Sequence, residues 1–399
     1  MKIEMKWLSQ AALAVYDQLV EAGYAAYSVG GAIRDTLMGL TPSDVDLTTS
    51  ATPDEVEALF KQTIDLGKEH GTIIVRMLGE SIEVTTFRTE SMYVNHRRPE
   101  QVAFVTSLVE DLQRRDFTMN AIASDRYGQL TDPFKGVEAI RQQQIIAVGE
   151  ASERFHEDAL RMMRAIRFMS TTGFTIEANT LEAIREHAAL LQYIAVERIK
   201  VEWDKLWLGK NPNAALRVCF GTGLHRFIPS LAGVPSFEVP TQWIGEALDG
   251  YAWMIERCDL NSDEVSSAWK MSRKEKEALK QRQSAVKAMR EEQPEHWVTY
   301  CYSDAVIRFA HAVVHGEWLD QQTLTERRQQ LPIQGKQDLM IDGKQLLAWT
   351  GEKPGKWLGD CLHAMEYGVV VGEIEHTAQA LKEWGMRYVN ERVRVEKTD

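Results

Sequence analysis

The sequence predicts an α+β protein, with a small mixed sheet and its covering helices before Gly149 and helices from Ala151 onward. Three observations carry this reading. β-branched runs with period-two alternation all fall before Gly149, apolar residues recur at helical spacing throughout the rest, and Tyr27–Thr48 couples a Gly-Gly turn to alternating carboxylates.

In the first part, Trp7, Leu8, Ala11, Ala12, Val15 and Leu19 are spaced for an amphipathic helix over 5–22, covering a strand at 25–29. Gly30 and Gly31 open a second helix that Gly39 ends, and Asp44 to Thr48 reads as the next strand. Successive strand side chains point to opposite faces, so Asp44 and Asp46 share one face while Val45 and Leu47 turn to the core. Thr52, Pro53, Asp54 and Glu55 form a capping box with proline at the first helical position, for a helix to about Phe60. The runs 72–78 and 81–88 read as a hairpin in which Glu83 faces away from Ile82 and Val84. Residues 89–100, TESMYVNHRRPE, are polar and without clear period, which marks a mobile loop beside the site. Helices are expected from Ser152 through Thr171, after Asn179, and over 196–207.

The chain has 399 residues, enough for roughly two to four domains or subdomains. No apolar run approaches a membrane span, and the N-terminus lacks the apolar core of a signal peptide, so a cytoplasmic protein without membrane contact is expected. Four cysteines without a CxxC pair or a Cys/His cluster exclude a zinc site of the usual spacing. A net charge of −12 argues against indiscriminate nucleic-acid binding. The lysines and arginines between Trp269 and Arg290 nonetheless offer either a local basic face or a solvated helix with Glu/Lys pairing.

Two aspartates on one strand face make a platform for divalent metal. Glycines at the start of a helix let backbone amides approach a phosphate. Gly30, Gly31, Asp44 and Asp46 therefore suggest a nucleoside triphosphate held between amides and metal ions. Glu83 could add a third carboxylate if its strand lies beside that of Asp46. Next to such a site Arg115 could reach phosphate or ribose, and Asp116 a sugar hydroxyl.

In Glu157–Arg167 the spacing of three sets Asp158, Arg161 and Arg164 on one helical face, with Arg167 a turn further. A carboxylate accepting from an exocyclic amino group, beside an arginine donating to an unprotonated ring nitrogen, suits adenine and cytosine and opposes guanine and uracil. The same spacing also suits a plain helix salt bridge.

Taken in order, SVGGAIRD with DVD at 44–46, RRDFTMNAIA at 114–123, DPFKG at 132–136, EDALRMMRAIRF at 157–168 and VERI at 196–199 resemble the class II tRNA nucleotidyltransferases. These are the CCA-adding enzymes of the polymerase-beta-type superfamily, and the resemblance spans essentially the whole chain. It implies a mixed-sheet nucleotidyltransferase head (1–149), a helical neck recognising the nucleobase (150–207), and a helical body (208–320) and tail (321–399) gripping the acceptor and T-arm of tRNA. It further implies that Asp44 and Asp46 hold Mg2+, that Gly31, Arg34 and Arg115 contact nucleotide, that Asp158 and Arg161 select the base, and that Arg164 and Arg167 reach phosphate. The activity implied is untemplated addition of C, C and A to tRNA 3′ ends from CTP and ATP with release of pyrophosphate, by a monomer or weak dimer. A-adding, CC-adding and poly(A) polymerases share many of these motifs; an intact TESMYVNHRRPE segment favours full CCA addition. A tRNA-binding chaperone on a dead nucleotidyltransferase fold is the non-enzymatic alternative, against which the two aspartates stand.

Overall fold

The computed structural model describes residues 1–42, 45–94, 98–240 and 244–395. Contacts divide them into two compact units, 1–241 with 264–270, and 242–263 with 271–399.

The first unit opens with α1 (Gln10–Glu21), which starts where the Ser9 hydroxyl accepts the Ala12 amide and not at residue 5. Trp7 and Leu8 precede it and still pack on the core. Strand β1 (Ala26–Val29), helix α2 (Gly31–Leu37) and α3 (Pro53–Leu59) follow as expected, with the Thr52/Glu55 box formed, whereas β2 (Asp46–Thr49) begins at Asp46 and the Asp44 end of the expected strand lies outside the described residues. Next come β3 (Thr63–Gly67), β4 (Thr72–Met77) and β5 (Glu80–Thr86). β3 escapes a pattern reading because its apolar residues Ile64 and Leu66 face solvent. Of the expected loop over 89–100, residues 95–97 lie outside the described residues, and the remainder is not elementless: β6 (Arg88–Val94) and β7 (Arg98–Phe104) pair as an antiparallel ribbon, Arg88 opposite Phe104. Helix α4 (Leu108–Gln113), the two-residue strands β8 (Ala123–Ser124) and β9 (Leu130–Thr131), and α5 (Gly136–Arg141) complete this part.

The strands form one mixed sheet in the order β3-β4-β5-β2-β1-β8-β9. Within this sheet β2 and β5 are the parallel pair among the described residues, in a register that sets Asp46 opposite Glu83 and Leu47 opposite Val84. Leu47 and Val84 are buried with Ala11, Ala12, Val15 and Leu19 of α1, while Glu83 is exposed on the opposite face. The core thus fixes which face carries the acids.

Beyond the sheet lie α6 (Ala151–Glu157), α7 (Leu160–Thr172), α8 (Ala178–His187), α9 (Val196–Trp207) and α10 (Pro212–Gly221). The single helix expected from Ser152 to Thr171 is broken: Asp158 is extended (φ −139°, ψ 102°) between α6 and α7. Its carboxylate accepts the Leu160 amide at 3.1 Å, as a residue that starts a new helix does. Met162, Met163 and Ile166 of α7 and Trp203 and Trp207 of α9 are buried.

The second unit is helical: α11 (Ala247–Cys258), α12 (Ser262–Ala268, shared with the first unit), α13 (Arg273–Arg290), α14 (Glu295–Cys301), α15 (Asp304–His315), α16 (Gln321–Gln329), α17 (Gly343–Thr350), α18 (Lys356–Val370) and α19 (Ala378–Val395). The cations of α13 differ in their surroundings. Arg273 and Lys274 are exposed, Arg290 pairs with Glu256, and Arg282 is buried. Arg282 bonds Asp249 and Glu246, each at 2.8 Å. Removing one member of a buried pair strands the other charge, so Arg282→Ala is expected to cost about 3–5 kcal/mol. Denaturant unfolding of the purified chain measures this; a change within error of zero would show that Asp249 finds water.

Candidate nucleotide site

A cavity of about 410 Å³ opens on the first unit. It is lined by Gly30, Gly31, Arg34, Asp46, Arg114, Arg115, Asp116, Asn120, Asp158, Arg161, Arg164, Arg167 and Phe168. Every residue proposed from sequence to touch nucleotide is therefore in one place. Of the three carboxylates proposed to be catalytic, Asp46 is on the lining and Glu83 is its neighbour across β2 and β5. Asp44 lies outside the described residues. Six arginines against three aspartates give the lining a positive balance within an acidic chain, which suits a polyanion.

Gly30 caps α2 at φ 69°, ψ −129°, a conformation open to glycine, and a Cβ there would sit 3.2 Å from Arg115 Nη1. The glycine therefore serves both the turn and the close approach of a guanidinium. Arg34 donates to Asn120 Oδ1 at 2.8 Å and to Asp35. Asn120 in turn donates to Asp116 Oδ1 at 3.0 Å. The DPFKG turn supports this corner: Asp132 accepts the Gly136 and Val137 amides, and a Cβ on Gly136 would lie 2.1 Å from the Thr118 carbonyl.

Asp111 is fully buried on α4 and accepts from Arg114 at 2.8 Å and Arg115 at 3.3 Å. Burial raises its pKa, but the two guanidiniums outweigh that and hold it below the usual value. Burial lowers the pKa of Arg115, with Asp111 opposing, and the buried Nε of Arg115 has no hydrogen-bond partner in the protein. Such a donor on the cavity wall suits an anionic ligand.

Asp116 accepts from the Phe117 amide (2.8 Å), from Asn120, and from Arg164 Nε (2.7 Å). Burial would raise its carboxyl, but Arg164 and these donors pull it down to about 2. Burial opposes the charge of Arg164, yet Asp116 and then Glu202 outweigh it and raise the pKa. Glu202, buried on α9, also accepts from Arg167 at 2.9 Å. Burial brings Arg167 down to about 10, with Glu202 countering in part. The guanidiniums of Arg34, Arg164 and Arg167 lie 5.1, 5.5 and 3.5 Å from the Phe168 ring centroid.

The Arg161 amide donates to the Asp158 carbonyl at 3.0 Å, while the two side chains each have anchors of their own. Arg161 donates to Glu157 (2.5 Å), the Arg154 carbonyl (3.1 Å) and the Arg114 carbonyl (2.7 Å). Asp158 is held by Arg198 of α9. Arg161 thus makes its helix salt bridge with Glu157, four residues before it, and Asp158 pairs across to α9. Sequence reasoning passed over Asn120, Phe168, Arg198 and Glu202 as site residues. The i, i+4 spacings Asp116/Asn120 and Arg198/Glu202 were the available signals, and each looks like an ordinary helix pair.

The family described as the Poly A polymerase head domain matches residues 26–146. The family described as "Probable RNA and SrmB-binding site of polymerase A" matches 173–233, and that described as "tRNA nucleotidyltransferase domain 2 putative" matches 250–384. The CCA-adding enzyme of Limosilactobacillus reuteri (strain DSM 20016) is 40% identical over 395 residues, covering 96% of this chain and 98% of the relative. That of Geobacillus stearothermophilus is 40% identical over 401 residues, with the same coverage. The chain belongs to the CCA-adding enzyme family. It is a tRNA nucleotidyltransferase with a mixed-sheet head and a helical remainder. The crystal structure of the Bacillus stearothermophilus CCA-adding enzyme in complex with CTP matches at TM-score 0.86 and 37% identity, over 97% of this chain and 98% of that one. The Thermotoga maritima CCA-adding enzyme complexed with tRNA shares the fold at TM-score 0.64 and 18% identity, over 95% and 96%. Among the described residues no helix is long and apolar enough to cross a membrane.

The depressed carboxyl of Asp116 carries a pH dependence. Its contribution to stability is complete above the ordinary value of 3.8 and is lost as pH falls through that value toward about 2. Asp116→Asn is therefore expected to lower stability at neutral pH and to flatten its fall between pH 5 and 2, as read by denaturant midpoints across that range. An equally steep fall in the variant would assign the acid sensitivity elsewhere.

Proposed function

We propose that the cavity is where this enzyme binds CTP and ATP in turn and adds C, C and A to the 3′ end of tRNA, releasing pyrophosphate. The observation that carries the reading is the presence of Asp158 and Arg161 on the same wall as Asp46 and the arginines. One cavity thereby offers a base-selecting pair, a phosphate-binding cluster and an acid. Arg34, Arg115, Arg164 and Arg167 orient the triphosphate, Gly30 and Gly31 let it approach the backbone, and Asp116 takes a ribose hydroxyl. Arg161, fixed by three acceptors, donates to the ring nitrogen, and Asp158 accepts from the amino group that cytosine and adenine share.

Asp46 and Glu83, opposite one another on parallel strands, are hard oxygen donors of the kind Mg2+ prefers. Among the described residues no three metal-binding side chains converge; Asp44, the remaining member of the proposed set, lies outside them. The donor chemistry fits, and Asp44 and Asp46 would hold the ions, with Glu83 beside them. Divalent ions bound there would acidify the RNA hydroxyl and neutralise charge on the phosphates. The helical body and tail, over 208–320 and 321–399, take the acceptor and T-arm of tRNA by shape and phosphate contacts, with the exposed Arg273 and Lys274 of α13 among the cations available. The enzyme works in the cytoplasm, as a monomer or weak dimer.

The test supplies tRNA lacking CCA, and separately tRNA ending in CC, with single labelled nucleotides. C addition to the first and A addition to the second are expected; repeated A on either, or C alone, would assign a poly(A) or a CC-adding activity instead. Asp46→Ala is expected to lower incorporation by roughly a thousandfold or more, the loss that follows when several kcal/mol of charge stabilisation disappear. Its melting curve should stay close to that of the parent, and turnover retained in the variant would remove Asp46 from the chemistry.

A further inference from the structure

We infer that Arg198 of α9 is the residue that sets base selectivity through Asp158, by fixing which oxygen of that carboxylate faces the incoming base. The inference rests on the reading of Asp158 as the acceptor for the amino group. Asp158 lies in the extended break between α6 and α7, so no helical turn dictates its side-chain direction. Its orientation comes from a fork: Arg198 Nη2 donates to Oδ2 at 2.7 Å and Nη1 to Oδ1 at 3.3 Å.

An ionised carboxylate offers about four acceptor positions. The Leu160 amide and Arg198 Nη1 occupy two on Oδ1, and Arg198 Nη2 occupies one on Oδ2. One position remains, on Oδ2. A single acceptor in a fixed direction is what distinguishes the N–H of an amino group from the carbonyl oxygen that uracil and guanine present at the same place. Without the fork, the carboxylate could rotate away or be bridged by water, and a carbonyl would no longer meet a fixed negative oxygen.

Arg198 itself stands on a firm base. Ile199, Trp203, Leu206 and Trp207 bury the other face of α9, and Trp203 stacks on Trp269 at 5.9 Å. The same helix carries Glu202 one turn on, which bonds Arg164 and Arg167. α9 therefore holds both the base-selecting acid and two of the arginines assigned to the triphosphate, through two residues of opposite charge. The two should separate kinetically: Arg198 governs which base is accepted, Glu202 how tightly any triphosphate is held.

The experiment measures kcat/KM for CTP against UTP on tRNA lacking CCA, and for ATP against GTP on tRNA ending in CC, with the full-length enzyme. Arg198→Leu is expected to lower both selectivity ratios by about tenfold or more, as when a polar partner in a recognition site is lost. Arg198→Lys, which keeps the charge and loses the fork, should fall between. Glu202→Gln should raise KM for all four nucleotides and leave the ratios in place. Asp158→Asn, run in parallel, separates the two ideas: ratios unmoved there would overturn the reading of Asp158 itself. Ratios relaxed by Asp158→Asn yet unmoved by the Arg198 variants would overturn the role of Arg198 alone, as would an equal loss of rate for all four nucleotides. If Arg198→Leu does not fold, the ratios of Arg198→Lys decide, and unchanged values count against the inference.

Discussion

Arg164 is the cation on which the first unit turns. It bonds Asp116, which follows α4, and Glu202 on α9, partners that lie 48 and 38 residues away in the chain. A guanidinium held against two buried carboxylates keeps their charge compensated, and here Arg164, itself only partly buried, does so for Asp116 and Glu202. The sheet-bearing segment, α7 and α9 are consequently tied at one point on the cavity wall. Loosening any of the three would move the arginines that line the cavity, because Arg167 shares Glu202 and the Phe168 ring with it, and Arg34 shares that ring and reaches Asp116 through Asn120.

What could be read from the sequence was mostly what neighbouring residues decide. The Thr52/Glu55 box, the strand ending at Gly30, and the helix over 196–207 are local agreements of cap, propensity and period, and the structure keeps them. The break at Asp158 is the instructive exception. Leu160, Met163 and Ile166 continue the helical period, so the pattern runs straight through the interruption. What breaks it is a carboxylate that bonds the Leu160 amide nearby and Arg198 forty residues away. Period reports burial, and burial here is continuous across two helices that are not.

The site shows the same division. Candidate side chains were legible because polar groups at regular intervals in an apolar setting are costly to keep. Their partners were not, because Arg198 and Glu202 look like a helix pair yet reach in different directions to Asp158 and to Arg164 and Arg167. The ribbon of β6 and β7 was missed for a related reason. Its pairing joins two short runs with Arg98, Pro99 and Glu100 among them, and such a polar, proline-bearing sequence reads as loop.

The parallel pairing of β2 with β5 has a consequence in time. Antiparallel neighbours can meet through a tight turn, whereas parallel ones need a crossover, and here the crossover contains α3, β3 and β4. Asp46 and Glu83 come together only after that whole excursion has closed. Loop closure of this kind is the slow part of forming a sheet. A growing chain would therefore hold Asp46 and Glu83 apart until β5 has emerged, so the pair forms with the closure of this crossover and not with either strand alone.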